Sequence, residues 1–232
     1  MPFIEILDAA SPRAFTTLAD VKAALGITVT TFDVEIARLI ESVSSLIENV
    51  TGKVWAADRV RERVAGHGDL YLMLDRRPIL SVDSVTLDGS TIAPSAYLIN
   101  AEAGALFNAN GWRYTGLYGG LAELPMPGSG APLYVVEYTG GHIMPGTMDG
   151  ATPVASTLPK ALQDIAIRGI HLYLAPKLAG DGETRDPTIK AERLGDASIT
   201  YAVADGGDGL TPDGMIRAWL EAGRWISAPF VS

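Results

Sequence analysis

The chain has 232 residues and a net charge of −9, with 47% hydrophobic and 19% charged residues. That is enough apolar material for one large domain or a domain with an inserted module, and it excludes global disorder. The acidic balance argues against a broad phosphate-gripping face, and the absence of cysteine excludes disulfides, thiolate catalysis and Cys-based zinc sites.

The opening MPFIEILD (1–8) has no basic region and carries acids among its apolar residues, so it does not read as a signal peptide. No window reaches 18 apolar residues without charge, so no membrane span is expected. The first helix is predicted over 17–26, with Thr17 as cap, Asp20 in the first turn and Gly26 as stop. Leu18, Val21 and Leu25 share its apolar face. A second helix is predicted over about 32–51. Ile36, Ile40, Val43, Ile47 and Val50 recur at helical spacing, Leu39 and Leu46 widen the stripe, and Gly52 ends it.

The period then changes. Val60 and Val64 alternate with Arg59, Arg61 and Arg63, a strand pattern. Short apolar runs follow at 70–74 and 82–87, the latter meeting Asp88-Gly89, a strong hairpin signal. Further strands are predicted at 97–100, 105–107 and 134–138, joined by connections short enough for antiparallel pairing. After a Gly- and Pro-rich loop at 141–157, helix returns with Pro159 in its first turn. Its apolar face is read as Leu158, Leu162, Ile165, Ala166, Leu172 and Tyr173, and Pro176 is expected to end or kink it. A hairpin is expected over 189–203, turning near Gly195-Asp196. A last helix over 212–225 carries Met215, Ile216, Trp219 and Leu220.

The expected fold class is α+β. A helical bundle core of about four helices (residues 1–53 and 151–232, including a C-terminal docking tail) would carry an inserted antiparallel β-rich module at 54–150.

Few residues suggest chemistry. His67, His142 and His171 lie in three separate elements and form no metal-binding pair. Carboxylates at Asp181, Glu183 and Asp186, and again at Asp205 and Asp208, do not complete a calcium loop. There is no phosphate-cradling glycine loop and no nucleophile elbow. No catalytic, cofactor-binding or metal-binding residue is nominated.

Two constellations are interaction candidates. Arg59, Arg61 and Arg63 would share one strand face, either as a basic patch for an acidic partner or as a solvated face with Glu62 opposite. Trp219, Arg224, Trp225 and Phe230 crowd the last residues, with the aromatic and arginine chemistry of docking anchors. Arg76 and Arg77 precede Pro78 between two strands, either as structural punctuation or as an inter-subunit contact.

Several segments, in order, resemble the tailed-phage head–tail connector (adaptor, neck) proteins: LADVKAALG (18–26), IESVSSLIENVTGKVW (40–55), LDRRPILSVDSVTLDG (74–89), VVEYTGG (135–141), LPKALQDIA (158–166) and KAERLGDASITY (190–201). The resemblance implies a structural role in the virion neck, with no reaction and no cofactor. It implies a homo-oligomeric ring, usually twelvefold, bound to the portal protein on one side and to tail or stopper proteins on the other. DNA would pass through without sequence-specific contact. The alternatives are a tail-completion or stopper protein, against which the flanking helices argue, and a non-viral binding module.

Overall fold

The computed structural model describes residues 3–115, 133–178, 191–194, 197–200 and 212–226. Two compact units make up the chain: Met1–Pro12 with Val54–Ile143, and Arg13–Lys53 with Met144–Ser232.

The first unit is built from β1 (Phe3–Asp8), β2 (Asp58–Val64), β3 (Tyr71–Met73), β4 (Ile79–Leu87), β5 (Ser90–Thr91), β6 (Leu98–Asn100), β7 (Ala105–Phe107) and β8 (Tyr134–Gly140). Five strands form an antiparallel sheet in the order β1-β2-β8-β4-β5, and three form a second, β3-β7-β6. Strand alternation decides what is inside. Tyr134, Val136 and Tyr138 on β8 and Val60 on β2 share one buried cluster with Leu72 and Leu106 of the small sheet. The small sheet therefore packs on the inner face of the large one. Trp112 fills the space between them, edge-on to Tyr134 at 5.2 Å, its indole N–H donating to the Leu106 carbonyl at 2.9 Å. The β4–β5 turn has both Asp88 (φ 50) and Gly89 (φ 76) left-handed, as a two-residue hairpin with the sheet's twist requires.

The sequence reading assigned residues 1–53 to the helical part. Phe3–Asp8 instead forms the edge of the large sheet, paired with β2. An extra residue between Ile6 and Asp8 shifts the register there. A short, acid-bearing strand with a bulge is a common solution for an open sheet edge.

The second unit holds α1 (Leu18–Leu25), α2 (Asp33–Thr51), the two-residue pair β9 (Met148–Asp149) and β10 (Thr152–Pro153), α3 (Lys160–Leu178), the hairpin β11 (Ala191–Leu194) and β12 (Ala197–Thr200), and α4 (Pro212–Ala222). Four helices and antiparallel sheets among the described residues make the chain α+β, as expected. Thr17 caps α1 by accepting from the Asp20 N–H at 3.1 Å, and Gly26 and Gly52 end α1 and α2 in the left-handed conformation. Ile36, Leu39, Ile40, Val43 and Ile47 form the buried stripe of α2. On α3 the buried stripe runs Leu162, Ala166, Ile170 and Leu174, not Leu172 and Tyr173, which are half-buried. The helix continues past Pro176 to Leu178. The helices approach closely at Gly169, where an added Cβ would stand 2.8 Å from Ile216 Cδ1 and 3.2 Å from Val43 Cγ1.

Candidate interaction surfaces

The outer face of the large sheet carries the arginine row. Antiparallel register brings Glu5 of β1 and Glu137 of β8 to either side of Arg61. Arg61 reaches Glu137 Oε1 at 2.8 Å and Glu5 Oε2 at 3.0 Å. Arg59 reaches Asp83 Oδ2 on β4 at 2.7 Å and Glu137 Oε2 at 3.5 Å. Hydrogen bonds to Asp83 and to Glu137 raise the already high values of Arg59 and Arg61 respectively, so both guanidiniums stay charged. The row is thus neutralised within its own sheet. Arg63, one step further along, is exposed and has no carboxylate partner among the described residues.

The opposite face of β2 holds a buried carboxyl. Glu62 is 1% exposed. Its Oε2 accepts from the Tyr138 hydroxyl at 2.5 Å and from the Asp75 N–H at 3.1 Å. The same hydroxyl accepts from the Arg76 N–H at 3.0 Å. Burial pushes the Glu62 carboxyl above its ordinary range, against the hydrogen bond from Tyr138, and burial with the Glu62 charge pushes the Tyr138 phenol far up. This network fixes the corner before Pro78, where the Arg77–Pro78 peptide is cis. Arg76 is half-buried, with its Nε lacking a hydrogen bond, and Arg77 is exposed. The acid beside Arg76 is Glu62 of β2.

In the helical unit, α4 ends in a Schellman turn. The Trp225 N–H donates to the Leu220 carbonyl and the Arg224 N–H to the Glu221 carbonyl, both at 2.9 Å, with Arg224 left-handed at φ 58. The turn folds Trp225 back onto its own helix end, where its ring lies against Gly223. Trp219 and Trp225 are half-buried and Arg224 is exposed; Phe230 lies outside the described residues. A surface cleft of about 370 Å³ between α2 and α4 is lined by Arg38, Ser42, Leu46, Tyr173 and Asp213. Its one carboxylate, Asp213, accepts from the Tyr173 hydroxyl.

Among the described residues no group of three or more His, Asp or Glu side chains could hold a metal ion. His142 stacks on Trp55 at 5.8 Å. The carboxylates at 181–186 and 205–208 lie outside the described residues. No described helix is long and apolar enough to cross a membrane.

Residues 14–116, somewhat less than half of the chain, match the family described as head completion protein (HCP). No curated protein matches. Among solved structures, the chain is similar to one from the neck of an empty gene transfer agent (GTA) particle computed with C6 symmetry, at 16% identity and a TM-score of 0.47. It is also similar to one from the neck of the native particle computed with C12 symmetry, at 15% identity and a TM-score of 0.47. Both alignments cover 99% of this chain and 98% of the other. The head completion match spans the first three motifs of the sequence resemblance, from the capped α1 through the Arg-Pro corner to the Asp88-Gly89 turn, so over these residues the chain is similar to that family.

Proposed function

We infer that this chain is the head–tail adaptor of a tailed phage or phage-like particle, joining the filled head to the tail at the virion neck. The observation that carries this reading is the head completion match over residues 14–116. The same match supports a structural role.

The finer reading is a ring of copies seated under the portal protein, with a tail or stopper protein below and DNA passing through. The charge of −9 suits a channel that must not hold its cargo. The α4 end, with Trp219, Arg224 and Trp225, is the proposed portal contact, and Phe230 extends it. Arg63 and Arg77, exposed and without an ion-pair partner among the described residues, are the stronger candidates for contact between copies, since Arg59 and Arg61 are held by their own sheet.

The test adds purified protein to DNA-filled, tailless particles that lack it. A ring of density at the portal vertex, with tails joining afterwards, is the expected result. Binding to isolated tails alone would move the chain to the tail side, as a completion or stopper protein, and binding to neither would remove the adaptor reading.

A further inference from the structure

The corner that carries the chain from β3 to β4 is held by one pair of buried side chains. Glu62 Oε2 accepts from the Asp75 N–H at 3.1 Å and from the Tyr138 hydroxyl at 2.5 Å, and that hydroxyl accepts from the Arg76 N–H at 3.0 Å. Two successive backbone donors of the corner thus end on a carboxyl and its phenol partner. Further ties surround them. The Leu74 N–H donates to the Gly104 carbonyl at 2.8 Å, the Ile79 N–H to the Ala101 carbonyl at 3.0 Å, and the Gly141 N–H to the Pro78 carbonyl at 2.8 Å.

Two polar atoms at this corner are left over. The Nε of Arg76 is buried and makes no hydrogen bond. Glu62 is 1% exposed, and its second oxygen, Oε1, accepts no hydrogen bond among the described residues. An unmet donor and an unmet acceptor each cost free energy away from water. Here they belong to oppositely charged groups, linked through only the Arg76 N–H and the Tyr138 hydroxyl. The charge of Arg76 acts on Glu62 and favours its ionised form, without a hydrogen bond between the two side chains. The residues beside Glu62 in register, Ile4 of β1 and Val136 of β8, are apolar. The ionisable groups acting on the carboxyl are Tyr138, whose phenol is pushed far up, Asp75, which is exposed and of like charge, and Arg76. Among them Arg76 is the one cation.

We propose that Arg76 is the internal counter-ion of Glu62 and that the pair is a pH-operated latch: the guanidinium stands off while the carboxyl is neutral, and on ionisation it turns in so that its Nε–H meets Oε1. The carboxylate then receives the Tyr138 hydroxyl, the Asp75 N–H and the guanidinium, the full set of partners that a buried ion pair requires. Closure limits, without cancelling, the cost of ionising a group away from water. The backbone bonds of the corner are present in both states; what moves is one side chain. The latch belongs to the β unit itself and does not depend on the neck reading.

NMR of the intact chain reads both halves. The Glu62 carboxyl is followed by its carbon-13 shift between pH 4 and 9. The Arg76 Nε–H is followed by its protection from solvent exchange, referred to that of the exposed Arg63. Protection at Arg76 should rise about tenfold, with the same midpoint as the carboxyl. Glu62→Gln should make that protection independent of pH. Arg76→Met should move the Glu62 midpoint upward, whereas Arg77→Met, which removes an exposed charge one residue on, should leave it in place. An Nε–H whose protection ignores the titration overturns the proposal. So does a Glu62 midpoint unchanged by Arg76→Met or moved as far by Arg77→Met, and so does a carboxyl that stays neutral over the whole range. Should Arg76→Met fail to fold, the wild-type and Glu62→Gln exchange curves decide alone.

Discussion

The Tyr138 hydroxyl lies 2.5 Å from Glu62 Oε2, joining β8 to β2 inside the β unit. Glu62 is almost fully buried, and its folded-state value is raised above the ordinary 4.5 mainly by loss of solvent. The stability linked to its protonation is therefore fully present below pH 4.5 and is lost as pH rises through the raised folded value. Urea unfolding of the wild type and Glu62→Gln between pH 4 and 8 checks this. The wild type should lose ground against the variant as pH rises, and parallel curves would refute it.

Tyr138→Phe removes the donor and leaves a buried carboxyl with only the Asp75 N–H. It should cost about 2 kcal/mol near neutral pH. It should also move the pH-dependent loss to higher pH, because the Tyr138 hydrogen bond is what lowers the Glu62 value.

Glu137 is held by both Arg59 and Arg61, all three at least partly open to solvent. Exposed ion pairs contribute little and are screened by salt. Glu137→Gln should lower Tm by only about 2 °C in dilute buffer. The difference should shrink at high salt, which paired thermal melts would show.

Arg224 occupies the left-handed position of a Schellman turn, where a Cβ is strained. Arg224→Gly should stabilise the helical unit by about 1 kcal/mol, read by chemical denaturation. If Arg224 contacts the portal, the same variant binds particles less well although it is more stable, which separates the two roles.

Gly169 is buried where α3 meets Val43 of α2 and Ile216 of α4. Gly169→Leu should destabilise by about 1–3 kcal/mol through overpacking, despite the better helix propensity of leucine. A denaturation midpoint equal to that of the wild type would show the helices able to part.

Local signals carried most of the legible fold. Thr17, Gly26 and Gly52 bound two helices as read, and Asp88-Gly89 turns as read, because capping and turn chemistry act within a few residues. What could not be read depends on distant pairing. Nothing in FIEILD names β2 as its neighbour. The acids that neutralise Arg61 come from Glu5, 56 residues before it, and Glu137, 76 after it. The small sheet is assembled from three short strands of three residues each, too short for periodicity to show a shared face. On α3, Leu172 and Tyr173 gave way to Ile170 and Leu174 because a periodic pattern fixes a stripe only to within a residue or so.

The interleaving of the two units sets an order of assembly during synthesis. β2 sits between β1 and β8, so the large sheet waits until Gly140 has left the ribosome. It needs nothing later. The helical unit already has α1 and α2 by Thr51, but its partners α3 and α4 follow only after Lys160 and Pro212. The strand unit is therefore the first to close, while the apolar stripe of α2 stays without its later partners for more than a hundred residues of elongation. That interval is when the nascent chain is most open to capture by chaperones or by another chain.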